Sequence, residues 1–394
     1  MATTPLDAFP PELSDPTDQL RPADFYSRMH EAAPIRWDDT RGCWDVFGYD
    51  AVQQVAADYE RFSSRMDANP DYLESDGRSL LHDSMLHADP SRHDELRSVV
   101  NQLFRPSELA TLQSFIHQRT DDLLNAAVTG ESGEARATFD LVPEVAYPLT
   151  VRTLTKLLGV PPTDRDAFLE WTKFTDTAPY EVDDAATRLS SLLDYLDGLL
   201  DGRPQDSQEE FLSAVRSAAG LSRAERRSIL SVILLGGLST THLIDNSVWS
   251  LTEVDGFETV RSDRDALIGA IEETLRYRSP VRAASRYATA TTDVGGATVE
   301  PGDKLCLWFA AANRDPTVFD TPGQFILDRR PTDHLAFGHG THFCLGASLA
   351  RLIARTALDV FFERFEEITV HCDQAKPTGS MLVYGPSTLP VTVA

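Results

Sequence analysis

The feature that most constrains this chain is a glycine-punctuated run near its C-terminal end, Phe337-Gly338-His339-Gly340-Thr341-His342-Phe343-Cys344-Leu345-Gly346-Ala347, which leads into a helical pattern over residues 345–365. Glycines permit backbone conformations and close approaches that other residues forbid. Gly338 and Gly340 therefore allow a tight loop to lie flat against a partner. Cys344 then stands at the mouth of a helix, where backbone N–H groups and the positive helix end favour an anionic sulfur. This predicts a lowered thiol pKa and a thiolate free to act as a ligand. From these residues alone three readings stay open: a thiolate on the metal of a flat macrocycle, an ordinary buried cysteine, or zinc held with His334, His339 and His342.

The remainder of the 394 residues offers no Ser/Gly linker, internal repeat or low-complexity run, so one domain spanning residues 1–394 is expected. A hydrophobic fraction of 42% with 9% aromatics supports a sizeable core. Residues 1–20 carry acids and prolines where a signal peptide needs a basic start and an apolar run. The apolar stretch at residues 229–237 is shorter than the roughly 20 residues that cross a bilayer. A soluble, cytoplasmic protein is expected, and the scattered Cys43, Cys306, Cys344 and Cys372 do not resemble a secreted disulfide framework. The net charge of −25, from 61 acids against 36 bases, disfavours nucleic acid and anionic membrane as partners. Only Lys156, Lys173, Lys304 and Lys376 are lysines. A GC-rich genome explains Arg in place of Lys but not the acid excess, which points to a high-salt cytoplasm where surface charge is strongly screened.

Periodicity predicts a strand at residues 44–48 and a short helix at 50–58. Helices follow over 108–127, 142–158, 163–177, 184–200, 222–253 and 265–277, then a β-hairpin within 288–302, an irregular stretch at 314–336 and short strands in 381–393. The 222–253 helix, about 45 Å long at 1.5 Å per residue, is apolar in its middle and expected to be central and buried.

The order Phe-Gly-x-Gly-x-His-x-Cys-x-Gly resembles the cysteine loop of the cytochrome P-450 family. Other stretches fit the same resemblance. Glu273-Thr274-Leu275-Arg276 is similar to its Glu-x-x-Arg helix, in which Glu273 and Arg276 form a structural pair joined by Arg329 or Arg330. Asp89-Pro90-Ser91-Arg92-His93-Asp94-Glu95-Leu96-Arg97 resembles the segment that supplies a His and an Arg to the haem propionates. The segments 277–281, 301–303, 312–316 and 322–325 agree too, whereas the first sixty or so residues and 129–220 match only in helical character.

The resemblance implies a mainly α fold with a small β region, a triangular prism of helices around one haem b. Cys344 would be the iron ligand. His93, Arg97, Arg286 and His342 would reach the propionates, with Phe337, Gly338 and Gly346 shaping the cysteine loop. A thiolate opposite bound oxygen favours O–O cleavage. Within Leu235-Gly236-Gly237-Leu238-Ser239-Thr240-Thr241, the two helical glycines each cost about 1 kcal/mol relative to alanine. They are expected to open a groove for oxygen, with a close helix crossing as the structural alternative. Thr240 takes the family's oxygen-binding threonine position. Ser239 stands where the family has an acid, and a serine hydroxyl lacks a carboxyl group's tunable pKa. Proton delivery would then run through Ser239 and water, or another acid, or be bypassed with peroxide.

The implied reaction is insertion of one atom of O2 into an apolar small molecule. Electrons would come from a separate ferredoxin or flavoprotein, since neither a Gly-x-Gly-x-x-Gly fingerprint nor a cysteine cluster is present. That donor would dock behind Cys344, with Arg351 and Arg355 as candidate contacts, and a monomer is expected. The substrate pocket would draw on residues 69–85, Leu235, Gly236, 281–284, Val383 and Tyr384, with Arg282 meeting a carboxylate or facing solvent. A peroxide-dependent peroxygenase or isomerase, and a non-turnover haem gas sensor, are the rival readings.

Overall fold

Apolar residues at three- and four-residue spacing bury one face of the outer helices, and the computed structural model describes residues 6, 8–68, 81–129, 137–172, 185–202 and 210–394. The helices that position the site are α1 (Tyr49–Ala57), α2 (Arg92–Ser98), α3 (Gln113–Thr129), α4 (Tyr147–Leu157), α5 (Arg223–Gly237), α6 (Thr240–Thr252), α7 (Arg264–Tyr277) and α8 (Ala347–Arg364). α8 packs on α3, α6 and α7, and these helices share one large apolar core. A second core lies between α1 and a five-stranded sheet ordered Ile35–Asp38, Cys43–Val46, Lys304–Leu307, Ala284–Ala288, Phe62–Ser63. Cys43–Val46 and Lys304–Leu307 run parallel; the other pairs are antiparallel.

Local chemistry accounts for several boundaries. Ser222 caps α5 with a complete capping box, its side chain accepting from Glu225 N while the Glu225 side chain accepts from Ser222 N. Asp263 caps α7 by accepting from Asp265 N. Gly295 and Gly296, with φ of 57° and 85°, make the two-residue turn between Thr292–Val294 and Ala297–Val299, inside the predicted hairpin region.

Three expectations differ in detail. The 108–127 helix begins as separate turns at Pro106–Leu109 and Ala110–Leu112 before α3. The 142–158 helix opens with a wide π turn at Val142–Ala146, because Pro148 lacks the N–H that would continue a regular α ladder. The 222–253 helix is interrupted at Leu238 and Ser239: Thr241 N bonds Leu238 O at 3.0 Å and His242 N bonds Ser239 O at 3.1 Å, three-residue steps between α5 and α6. Arg223–Thr252 together is long and apolar enough to cross a bilayer, but its apolar window is mostly buried within the protein, as in a core helix. Every residue from Thr240 to Leu251 is buried. Residues 173–184, with the end of the predicted 163–177 helix, and residues 69–80 of the predicted substrate loop lie outside the described residues.

Candidate functional site

The cysteine loop is closed by a bond from Cys344 N to Phe337 O at 2.8 Å. Gly338 and Gly340 adopt φ of 74° and 70°, a region that L side chains rarely enter. Gly340 has a second reason to be glycine: a Cβ there would meet Ala57 Cα at 2.9 Å and Ala56 O at 3.0 Å, the end of α1. Gly346 starts α8, 3.9 Å from Cys344 Sγ as measured from its own would-be Cβ. Contrary to the expected lowering, burial pushes the Cys344 thiol up; the N–H groups of Gly346 and Ala347 and the charges of Arg97 and Arg351 offset this only in part. A cation at the sulfur would deprotonate it outright.

One side of the loop gathers cationic and imidazole groups. Arg97 of α2 donates to Phe343 O at 2.7 Å and Thr341 O at 3.4 Å. The rings of His93 and His342 are 4.5 Å apart. His342 Nε2 lies 3.1 Å from Ser64 Oγ, and His87 Nδ1 lies 3.3 Å from Ser64 O. Burial, with Arg286, His93, His87 and Arg97 nearby, lowers the His342 pKa to about 2, leaving a neutral ring. Arg286 is 7% exposed and donates only to the neighbouring Ser285 O in the described structure. Burial lowers its pKa to about 10 against the pull of Asp89, which is itself held by Ser63 Oγ at 2.5 Å and Ser64 N at 2.9 Å. A buried guanidinium without a paired carboxylate, near His342 and His87, with Arg97 also near His342, is the environment that a dianionic group completes. The donor set therefore fits the two propionates of haem.

Ser64 and His87 carried no motif, and only the tertiary fold brings them to this cluster. The zinc reading loses its geometry, since no group of three or more His, Cys, Asp or Glu among the described residues could hold a metal. His334 instead faces Glu272, Nε2 to Oε2 at 3.2 Å.

Behind the loop, Arg276 binds Glu273 through two bonds of 2.7 and 2.8 Å, and both side chains are fully buried. Of the two arginines considered for the third position, Arg329 makes the contact, donating to Glu273 Oε1 at 3.0 Å. Arg276 also donates to Asn313 O, Pro322 O and Gln324 O, each at 2.9 Å, tying the irregular stretch to α7.

On the other helix the two glycines part company. A Cβ on Gly237 would collide with Leu154 of α4 at 2.5 Å, whereas one on Gly236 would meet nothing within 4 Å. Gly237 is explained by a close helix crossing, and Gly236 supplies the open face. Thr240 is buried at 6% exposure. Ser239 Oγ donates to Gly236 O at 3.1 Å, and Thr241 Oγ1 is buried without a protein partner.

Two other expectations are revised. Arg282 meets neither solvent nor an open pocket: it is 2% exposed, donates to Gln19 O at 3.1 Å and stacks over Tyr384 at 4.6 Å. Arg351 is engaged by Glu272 through bonds of 2.6 and 2.7 Å and lies over the Phe337 ring at 4.5 Å. Burial raises the Glu272 carboxyl, but Arg351 and His334 outweigh it and bring the pKa to about 2.

Comparison with known proteins agrees with this geometry. The family model described as Cytochrome P450 matches residues 261–392. A putative cytochrome P450, YjiB of Bacillus subtilis, is 33% identical over 383 residues, 93% of each chain. The crystal structure of the versatile cytochrome P450 enzyme CYP109B1 from Bacillus subtilis superposes with a TM-score of 0.83 at 32% identity, over 95% of this chain and 100% of that one. CYP109E1 from Bacillus megaterium, solved in complex with testosterone, gives 0.85 at 30% identity, over 96% and 99%. Alongside the cysteine loop and its buried cations, these likenesses show that the chain belongs to the cytochrome P450 family, the haem-thiolate monooxygenases with haem b as cofactor.

Proposed function

We propose that Cys344 is the thiolate ligand of the haem iron, and that His93, Arg97, Arg286 and His342 hold the propionates against the loop of Phe337, Gly338 and Gly346. The observation that carries this reading is Cys344 just before α8, with Arg97 on the carbonyl of Phe343 and the buried, carboxylate-free Arg286 near His342. Glu273 and Arg276 keep the loop's support in place. Haem held by these residues would supply an iron centre for splitting O2, with one atom going to the substrate and the other, with two electrons and two protons, to water. Electrons come from a separate ferredoxin or flavoprotein docking over the Cys344 face of a cytoplasmic monomer. Because Arg351 is neutralised by Glu272, Arg355 is the more available of the two arginines. The substrate is an apolar small molecule, a class supported by the testosterone held in CYP109E1, and the inward-facing Arg282 gives no anchor for a carboxylate.

Proton delivery on this reading centres on Thr240 and the break at residues 238–239. Ser239 donates its proton back to Gly236 O and is not an acid, so water ordered near Gly236 and Thr240 carries protons slowly. Ser239→Asp is expected to raise product formed per NAD(P)H consumed severalfold. Unchanged coupling would remove Ser239 as the limit on proton supply, and turnover with peroxide alone at the full rate would favour a peroxygenase.

The acid excess is read as salt adaptation. At about 1 M salt the Debye length is ~3 Å, which relieves repulsion among surface carboxylates. The melting temperature should rise steadily between low and molar KCl; a fall would count against adaptation.

A further inference from the structure

α6 carries two ionisable side chains that the reading above leaves without a role. His242 and Asp245 are 1% and 0% exposed, with Nδ1 and Oδ2 3.5 Å apart. At 3.6 residues per turn they lie about 200° and 140° round the helix from Thr240. Two buried polar side chains are seldom worth more than apolar ones of the same volume, so packing alone does not account for them.

The His242 ring rests on the backbone of Gly385. A Cβ at that position would come within 2.5 Å of Nδ1 and 2.6 Å of Cγ. One turn along the same flank, Asn246 Nδ2 donates to Tyr384 O at 2.9 Å and to Arg278 O at 3.0 Å. The segment held in this way is the turn that presents Leu382, 43% exposed, and the half-buried Val383. That turn is also joined to residues 280–282: Val383 pairs with Val281, Arg282 N donates to Leu382 O at 2.8 Å, and Tyr384 N donates to Pro280 O at 2.8 Å.

We propose that His242, assisted by Asn246, is a positioning residue that clamps the 382–385 turn to the oxygen-activating helix and so sets which part of an apolar substrate faces the reaction centre. The flat ring matches the bare backbone of Gly385, the Asp245 carboxylate lies 3.5 Å from Nδ1, and residues 281 and 383 follow the turn as two connected walls. The proposal rests on the reading that Gly236, residues 281–284 and Val383 line the substrate pocket of a haem enzyme.

Because His242 and Gly385 are complementary in size, the test is a double-mutant cycle of His242→Ala and Gly385→Ala. The probes are imidazole, which needs little room, and phenylimidazole, which fills the distal space; binding of each is read from the shift of the haem absorption band. Each single change is expected to alter the phenylimidazole Kd by about tenfold or more and the imidazole Kd by less than about threefold, and the double variant should return to within about threefold of wild type. Additive effects, or equal effects on both azoles, would overturn the clamp. If the single variants fail to hold haem, recovery of haem in the double variant supports it and continued loss overturns it. A wild-type protein that bound neither azole would instead remove the haem reading on which the clamp depends.

Discussion

Replacing Glu273 by Gln is expected to cost about 3–5 kcal/mol, because it leaves buried charge uncompensated. The change keeps volume and shape but removes the carboxylate shared by Arg276 and Arg329. Two guanidinium groups then face each other in a site where Arg276 is wholly buried. The backbone N–H of Ile326, which donates to Glu273 Oε1 at 3.0 Å, loses its charged acceptor as well. Against a total stability of about 5–15 kcal/mol, the loss removes a large share of the folding margin, so the variant should unfold at lower denaturant and retain haem less well. Denaturant midpoints and the haem-to-protein ratio measure this. A variant within about 1 kcal/mol of wild type, in the range of an ordinary surface change, would mean that the network is not central to the fold.

The second large effect is expected in the cysteine loop. Gly338 and Gly340 share a positive φ, so alanine at either carries a conformational cost of about 1–2 kcal/mol. Space separates them. At 338 the nearest atom to a new Cβ is His342 O at 3.6 Å, an ordinary contact, whereas at 340 the new methyl meets the backbone of Ala56 and Ala57 at 3.0 Å or less. Backbone cannot rotate aside as a side chain can, and overpacking of this kind adds about 1–3 kcal/mol. Gly340→Ala should therefore lose about 2–5 kcal/mol and much of its haem, while Gly338→Ala loses about 1–2 kcal/mol. Thermal denaturation of the two variants side by side checks the order. A reversed order would show that the loop does not rest on α1 as described.

What the sequence disclosed was local and contiguous. The cysteine loop, the Glu273 to Arg276 spacing and the His93 to Arg97 turn are each short runs, and the chemistry they imply depends on neighbours within about one helical turn. Where tertiary contact decided the outcome, sequence reading stopped short. Gly236 and Gly237 look alike until Leu154 is placed against one of them. Arg282 could have pointed in either direction until Gln19 and Tyr384 enclosed it. Ser64 and His87 approach the loop from segments that share no motif with it. The rise in the Cys344 pKa is a further example: helix-end amides were visible in the sequence, but the burial that outweighs them was not. The break at Leu238 and Ser239 lies between these cases, since the paired glycines signalled a weak helix without saying where its bonds would shorten.

The central claim is that Cys344 ligates a haem iron as a thiolate, and the absorption spectrum of the reduced, carbon-monoxide-bound protein tests it most directly. The wild-type protein is expected to show the strongly red-shifted Soret band of thiolate-ligated haem, and Cys344→His to lose it. A wild-type band at the position of histidine-ligated haem, or a thiolate band that persists in Cys344→His, would contradict thiolate ligation by Cys344.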